Sequence, residues 1–276
     1  MNGTADNIQN ALNTWNSKMT EIFSLLTQSP ESFRGGKIWA VMTDINTAMK
    51  AIGVALLVVF FFMGVIKTCT SFSELKKPEQ AVKIFVRFIL AQSVVVYGLD
   101  LMLRIINIMQ GIISTVMNTT NYGGARAINL PNNIRNVIDD VGFLDSIGIW
   151  AVSFIGGLGI TVAAFLMMMT VYSRFFKLYM YVAISPIPLS TFAGRPTERI
   201  GQSFLKSFAG VGMQGVIIMI ACIIFSVFAA SPPNIDMSAS ADTIVWAYVG
   251  ETIFNMIILV GTVKMADGIV KDMMGL

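Results

Sequence analysis

The chain has 276 residues, of which 55% are hydrophobic and only 13% charged, with a formal net charge of +3 and a mean hydropathy of +0.70. Soluble domains carry about a quarter charged residues, so this composition excludes an ordinary soluble fold, gives no indication of a nucleic-acid-binding domain and predicts an all-α polytopic membrane protein. Histidine is absent, which removes the commonest general base and zinc ligand together and makes catalysis a minority reading, with no metal or cofactor expected.

The N-terminus lacks the basic, apolar and small-residue regions of a signal peptide and has a helical period instead. Ile8, Leu12, Trp15, Met19, Ile22 and Leu26 fall in one stripe with Asn, Gln, Lys and Glu opposite, the pattern of an amphipathic helix. Such a helix outside the bilayer core can lie on the membrane surface or bundle with copies of itself. Pro30 and Gly35-Gly36 break the chain, after which Ile38, Val41, Met42 and Ile45 again share a face. Residues 1–47 are assigned to external amphipathic helices and residues 48–276 to a transmembrane domain.

The first span covers about 48–66, a length that matches the hydrocarbon thickness. Lys67, Lys76, Lys77, Lys83 and Arg87 follow it against only Glu74 and Glu79, so the positive-inside rule puts this loop in the cytoplasm and the N-terminus outside. Residues 79–117 are helical in pattern with no internal proline, roughly 55 Å at 1.5 Å per residue and more than one crossing needs; the span is set at 84–104. Asp100 and Arg104 lie four apart, either as an ion pair near the outer interface or facing a wet lumen. Residues 118–146 contain Gly123-Gly124, Pro131, Asn132-Asn133, Asp139, Asp140 and Asp145 and form the external loop.

The next span, 147–172, carries Gly156, Gly157 and Gly159, which permit close helix approach, and Arg174 and Lys177 should end it on the cytoplasmic side. Residues 175–194 contain Pro186 and Pro188. Each lacks an N–H and restricts its predecessor, so Ser185 and Ile187 should be pushed toward extended conformations and the segment should break. A re-entrant or interfacial half-crossing keeps Arg174, Lys177, Arg195, Arg199 and Lys206 inside, which favours five full crossings over six. Residues 203–230 hold Ser203, Ser207, Gly210, Gly212 and Gly215 with one embedded amide, Gln214, a hydrogen-bond anchor; Ser231-Pro232-Pro233 stops this span. The last span, 244–265, returns the chain to the cytoplasm and embeds Glu251, a functional candidate or an acid paired with a cation. Cys69 and Cys222 stand apart and read as small buried hydrophobes. The nineteen methionines suit adaptable surfaces or merely stand in for leucine.

The run YMYVAISPIPLSTFAG at 179–194, followed by RPTERIGQSFLKSFAG at 195–210, resembles the core of the TrbL-type, sixth-VirB-component family of type IV secretion and conjugation machines. The resemblance is most specific over 174–215, and the short external parts are similar to versions from conjugative elements of Gram-positive bacteria. It implies a multi-pass protein of the bacterial cytoplasmic membrane, assembled as a homo-oligomeric ring with a pentamer expected, beside other membrane subunits, the assembly ATPase and the coupling protein. A single-stranded DNA–protein complex would pass transiently, and no catalytic residue is implied. On this expectation Arg174, Lys177, Pro186, Pro188, Gly194, Arg195 and Arg199 form a channel mouth or subunit interface whose cations steer the substrate. The other reading has these cations fix topology and bind anionic membrane lipids. Two further classes stay open: a small-solute transporter or channel built on Gln92, Gln214, Glu251 and Asn255, and a non-conducting membrane scaffold.

Overall fold

The computed structural model describes residues 3–68, 78–119, 126–141, 146–229 and 235–276, and within them every regular element is a helix. Expectations that rest on Cys69, Glu74, Lys76, Lys77, Gly123-Gly124, Asp145 and Ser231-Pro232-Pro233 lie outside the described residues. In order the helices are α1 (Gly3–Thr27), α2 (Lys37–Thr68), α3 (Pro78–Val96), α4 (Gly98–Thr119), α5 (Asn132–Asp139), α6 (Ser146–Ile184), α7 (Pro186–Ser190), α8 (Glu198–Phe228) and α9 (Ala241–Met274), with 3-10 turns at Phe33–Gly36 and Thr191–Ala193. Five described helices are long and apolar enough to cross a membrane: Phe33–Lys67, Gly98–Thr119, Ile147–Ile184, Glu198–Phe228 and Ala241–Met274. Their outward faces are apolar, with Phe62, Ile108, Phe154, Phe165, Ile224 and Phe254 all exposed, the pattern of a surface covered by acyl chains.

The chain divides into two compact units. One comprises Met1–Thr27, Ile113–Ser173 and Gly215–Ala266. Here the stripe of α1 is buried: Ile8, Leu12, Trp15, Met19, Ile22 and Leu26 are each at most 3% exposed. Trp15 meets Phe225 of α8 edge-on at 5.8 Å, and Ala11 sits opposite Gly157 of α6. The helix therefore covers its apolar face within the chain, which differs from both the surface-lying and the self-bundled arrangement. The glycines of α6 do permit close approach, since a Cβ on Gly156 would strike Val249 of α9. Residues 126–130, which form no regular element, lie beside α1, where Asn16 grips both backbone groups of Ile128 (2.8 and 2.9 Å) and Gln9 accepts from Leu130 N at 3.1 Å.

The other unit comprises Gln28–Ile112, Arg174–Gln214 and Asp267–Leu276. Its core joins Leu57, Val95, Met102, Leu178, Val182, Leu189 and Phe208, drawn from α2, α3, α4, α6, α7 and α8. The long helix expected over 79–117 is interrupted at Tyr97, and the apolar window lies at Gly98–Thr119 rather than at 84–104. Leu189 of α7 presses on Gly98 so closely that a Cβ there would stand 2.5 Å from its Cδ1.

α6 also departs from expectation, because it passes through Arg174 and Lys177 and ends only at Ile184. The two cations are accommodated instead of ending the helix: Arg174 Nε donates to Val211 O at 3.3 Å, and Lys177 pairs with Asp267 at 3.2 Å. Ser185 is right-handed helical (φ −52°, ψ −35°) and Ile187 lies within α7, so neither is extended. Pro186 occupies the first turn of a new helix, where a missing N–H and a fixed φ cost nothing.

Candidate functional site

The break between α6 and α7 is the best-built polar feature of its unit. In an unbroken helix the N–H of residue 186 would bond the carbonyl of Val182, but a proline has none to give. That carbonyl accepts instead from Asn46 Nδ2 of α2 at 2.6 Å and from Ser185 Oγ at 3.1 Å. Asn46 Nδ2 also donates to Ser185 Oγ at 2.8 Å. Asn46 is 1% and Ser185 0% exposed, so a buried amide from a distant helix replaces the lost backbone bond.

Either side of the break is clamped. Before it, Tyr179 OH donates to Pro30 O at 2.8 Å, and Phe33 stacks on Phe175 with ring centroids 4.4 Å apart. After it, α2 lies against the chain with no room for side chains. A Cβ on Gly53 would be 2.7 Å from Pro186 O, and one on Gly194 would be 2.6 Å from Phe60 O. Arg87 of α3 closes the arrangement, donating to Phe192 O at 3.2 Å and forming an ion pair with Glu198.

The residues expected at a mouth or interface are thus distributed by environment. Pro186 and Gly194 are buried and Pro188 is half-buried. Arg174 is 4% exposed, with its second guanidinium nitrogen Nη1 unpaired, and Lys177 is held by Asp267. Only Arg195 and Arg199 of the set are exposed. Gln214 is buried with its Oε1 unpaired. Asp100 and Arg104 both lie exposed on α4, and they form no ion pair with each other. Glu251 is exposed on α9 between Tyr248, which is buried, and Phe254, which faces outward. Among the described residues no three Cys, Asp or Glu side chains converge as a metal site.

Sequence reasoning passed over Asn46, a lone amide ahead of the first apolar run whose partner carbonyl lies 136 positions away. It also passed over the Arg87–Glu198 pair, since each residue reads alone as a flanking charge.

Five apolar helices and a proline-seated break define a multi-pass helical membrane protein. Residues 15–186 match the family described as TrbL/VirB6 plasmid conjugal transfer like protein, and the chain belongs to this family. It is a membrane component of conjugal transfer machinery. No curated protein matches the chain.

Proposed function

We propose that copies of this chain assemble as a ring around an aqueous path across the membrane, along which a DNA–protein substrate passes. The N-termini are external and the C-termini cytoplasmic in this reading. The observation that carries it is the outward face of α1. Thr4 O accepts from Ser153 Oγ at 3.1 Å and Glu21 Oε1 from Tyr172 OH at 3.0 Å, so α1 lies alongside residues 153–172 of α6, roughly 28 Å of helix at 1.5 Å per residue. That length is close to a bilayer core, and over it α6 turns Phe154, Leu158, Val162, Phe165 and Met169 outward.

At the same depth the exposed residues of α1 are all polar: Asp6, Asn7, Asn10, Asn13, Ser17 and Thr20, with Ser24 in the next turn. Polar side chains and extended backbone at membrane depth belong beside water or protein, since hydrocarbon offers them no partner. The irregular stretch 126–130 against the same helix has the same requirement. A ring that turns α1 toward its axis meets both, and the apolar face of α6 then meets lipid. The exposed charge on this face, Asp6, is paired with Arg135, so the stripe would let a polyanion pass without binding it.

The test is cysteine accessibility in a background carrying Cys69→Ser and Cys222→Ala. Cysteines at Asn10, Ser17 and Ser24 are expected to react with a membrane-impermeant maleimide in intact membranes, and cysteines at Phe154 and Phe165 are not. Equal reactivity of both sets, or none on α1, would remove the support for a water-filled path. Loss of DNA transfer after labelling at Ser17 would separate a conducting path from a wet scaffold.

A further inference from the structure

A second feature lies where α2, α3 and the segment after α7 meet. Lys83, Arg87 and Arg195 line one cavity of about 490 Å³, whose remaining wall is Phe61, Gly64, Val65, Ile84, Val86, Leu90 and Ala193. A cavity of this size holds a small ligand or a lipid headgroup with the upper part of its chains. Its floor exists because two backbones touch: a Cβ on Gly64 would lie 3.1 Å from Gly194 Cα.

Three cations face this space and one is committed. Arg87 is engaged by Glu198 and Phe192 O, which fixes its guanidinium in the wall. Lys83 and Arg195 are exposed and form no ion pair with any described acid, so the lining carries a net positive charge beside a wall that is mostly aliphatic. Beyond the rim the surface is apolar, with Phe62 and Ile66 on α2 and Phe85, Val86 and Leu90 on α3 all exposed.

We infer that this cavity is a binding site for an anionic phospholipid. The phosphodiester sits between Lys83 and Arg195, and the acyl chains lie on Val86 and Leu90 and the exposed apolar surface beyond them. A nucleic-acid strand fits less well, because stacking needs a free aromatic face and Phe61, the only ring in the lining, packs edge-on against Phe88 at 4.8 Å. The site is independent of any passage of DNA, since it concerns the outer surface of one subunit.

The experiment titrates the purified full-length protein in neutral detergent with phosphatidylglycerol and, in parallel, with phosphatidylcholine. Phosphatidylglycerol should bind more tightly. The double variant Lys83→Gln/Arg195→Gln should lose about 30-fold in that affinity, at roughly a factor of five per cation near a lipid surface, and keep its affinity for phosphatidylcholine. Lys67→Gln, a cation outside the cavity, should retain the preference and controls for general charge loss. Equal binding of the two lipids, or an unchanged preference in the double variant, would overturn the assignment. Displacement by millimolar inorganic phosphate would make it a free-phosphate site, and displacement by a single-stranded oligonucleotide at matching affinity would make it a nucleic-acid contact; either result also overturns it.

Discussion

A proline inside a membrane segment leaves one carbonyl without its donor, and here Asn46 supplies the replacement from another helix. Asn46→Leu fits the apolar surroundings but removes the shortest of the hydrogen bonds to a buried carbonyl, for a cost of about 1–3 kcal/mol. The thermal midpoint of the detergent-solubilised protein measures this, and an unchanged midpoint would mean the Ser185 hydroxyl suffices alone. Close backbone contact gives a second test. Gly194→Ala places a methyl against Phe60 O and should destabilise by about 1–3 kcal/mol through overpacking. Gly111→Ala, with nothing within 4 Å of the added carbon, should be neutral or slightly stabilising, because alanine is the better helix former. Equal effects at the two positions would argue that helix propensity, not contact, sets the cost.

The elements were unequally legible. The stripe of α1 could be read from the spacing of Ile8, Leu12, Trp15, Met19, Ile22 and Leu26, since a 3.6-residue period alone places them on one face. What covers that face is a matter of distant residues, Phe225 and Gly157 among them. Trp15→Ala should therefore cost about 3–5 kcal/mol, as for a large aromatic in a packed interior, whereas Asn10→Ser should stay within about 0.5 kcal/mol. Denaturation of both variants in the same detergent tests the difference, and a mild Trp15 effect would imply that α1 detaches easily. The break at Tyr97 was not legible, because the apolar pattern runs through it and neither neighbour is a proline. Beside it Leu189 of α7, far along the chain, packs closely on Gly98. The break near Pro186 was legible, but its form was not. Prolines announce a lost donor, yet whether the next residues extend or restart a helix depends on which group takes the free carbonyl.

At the scale of the whole molecule, five apolar helices follow from composition and window length alone; the family follows from the particular order of residues, in a match that begins at Trp15 and ends at Pro186. For the channel mouth proposed near the break Arg199, exposed in the first turn of α8, is the cation left free of another role, because Arg174 is buried, Lys177 is paired with Asp267 and Arg195 lines the cavity beside α3. Arg199→Glu should lower DNA transfer while leaving membrane orientation unchanged, as read by reporter fusions at the C-terminus. An inverted or mixed orientation would mean that this cation sets topology and does not meet cargo.

The amino-acid sequence by itself determined the membrane class, the helical state, the approximate spans and the amphipathic stripe of α1, because each depends on local hydropathy and on the period of the helix. Only the tertiary structure decided that α1 is covered by its own chain and that α6 runs through its cations to Ile184. It also decided that Asn46 completes the proline break and that Lys83, Arg87 and Arg195 share one cavity. These outcomes depend on pairs of residues far apart in the chain, and no local pattern encodes which distant side chain will arrive to satisfy a freed carbonyl or a buried charge.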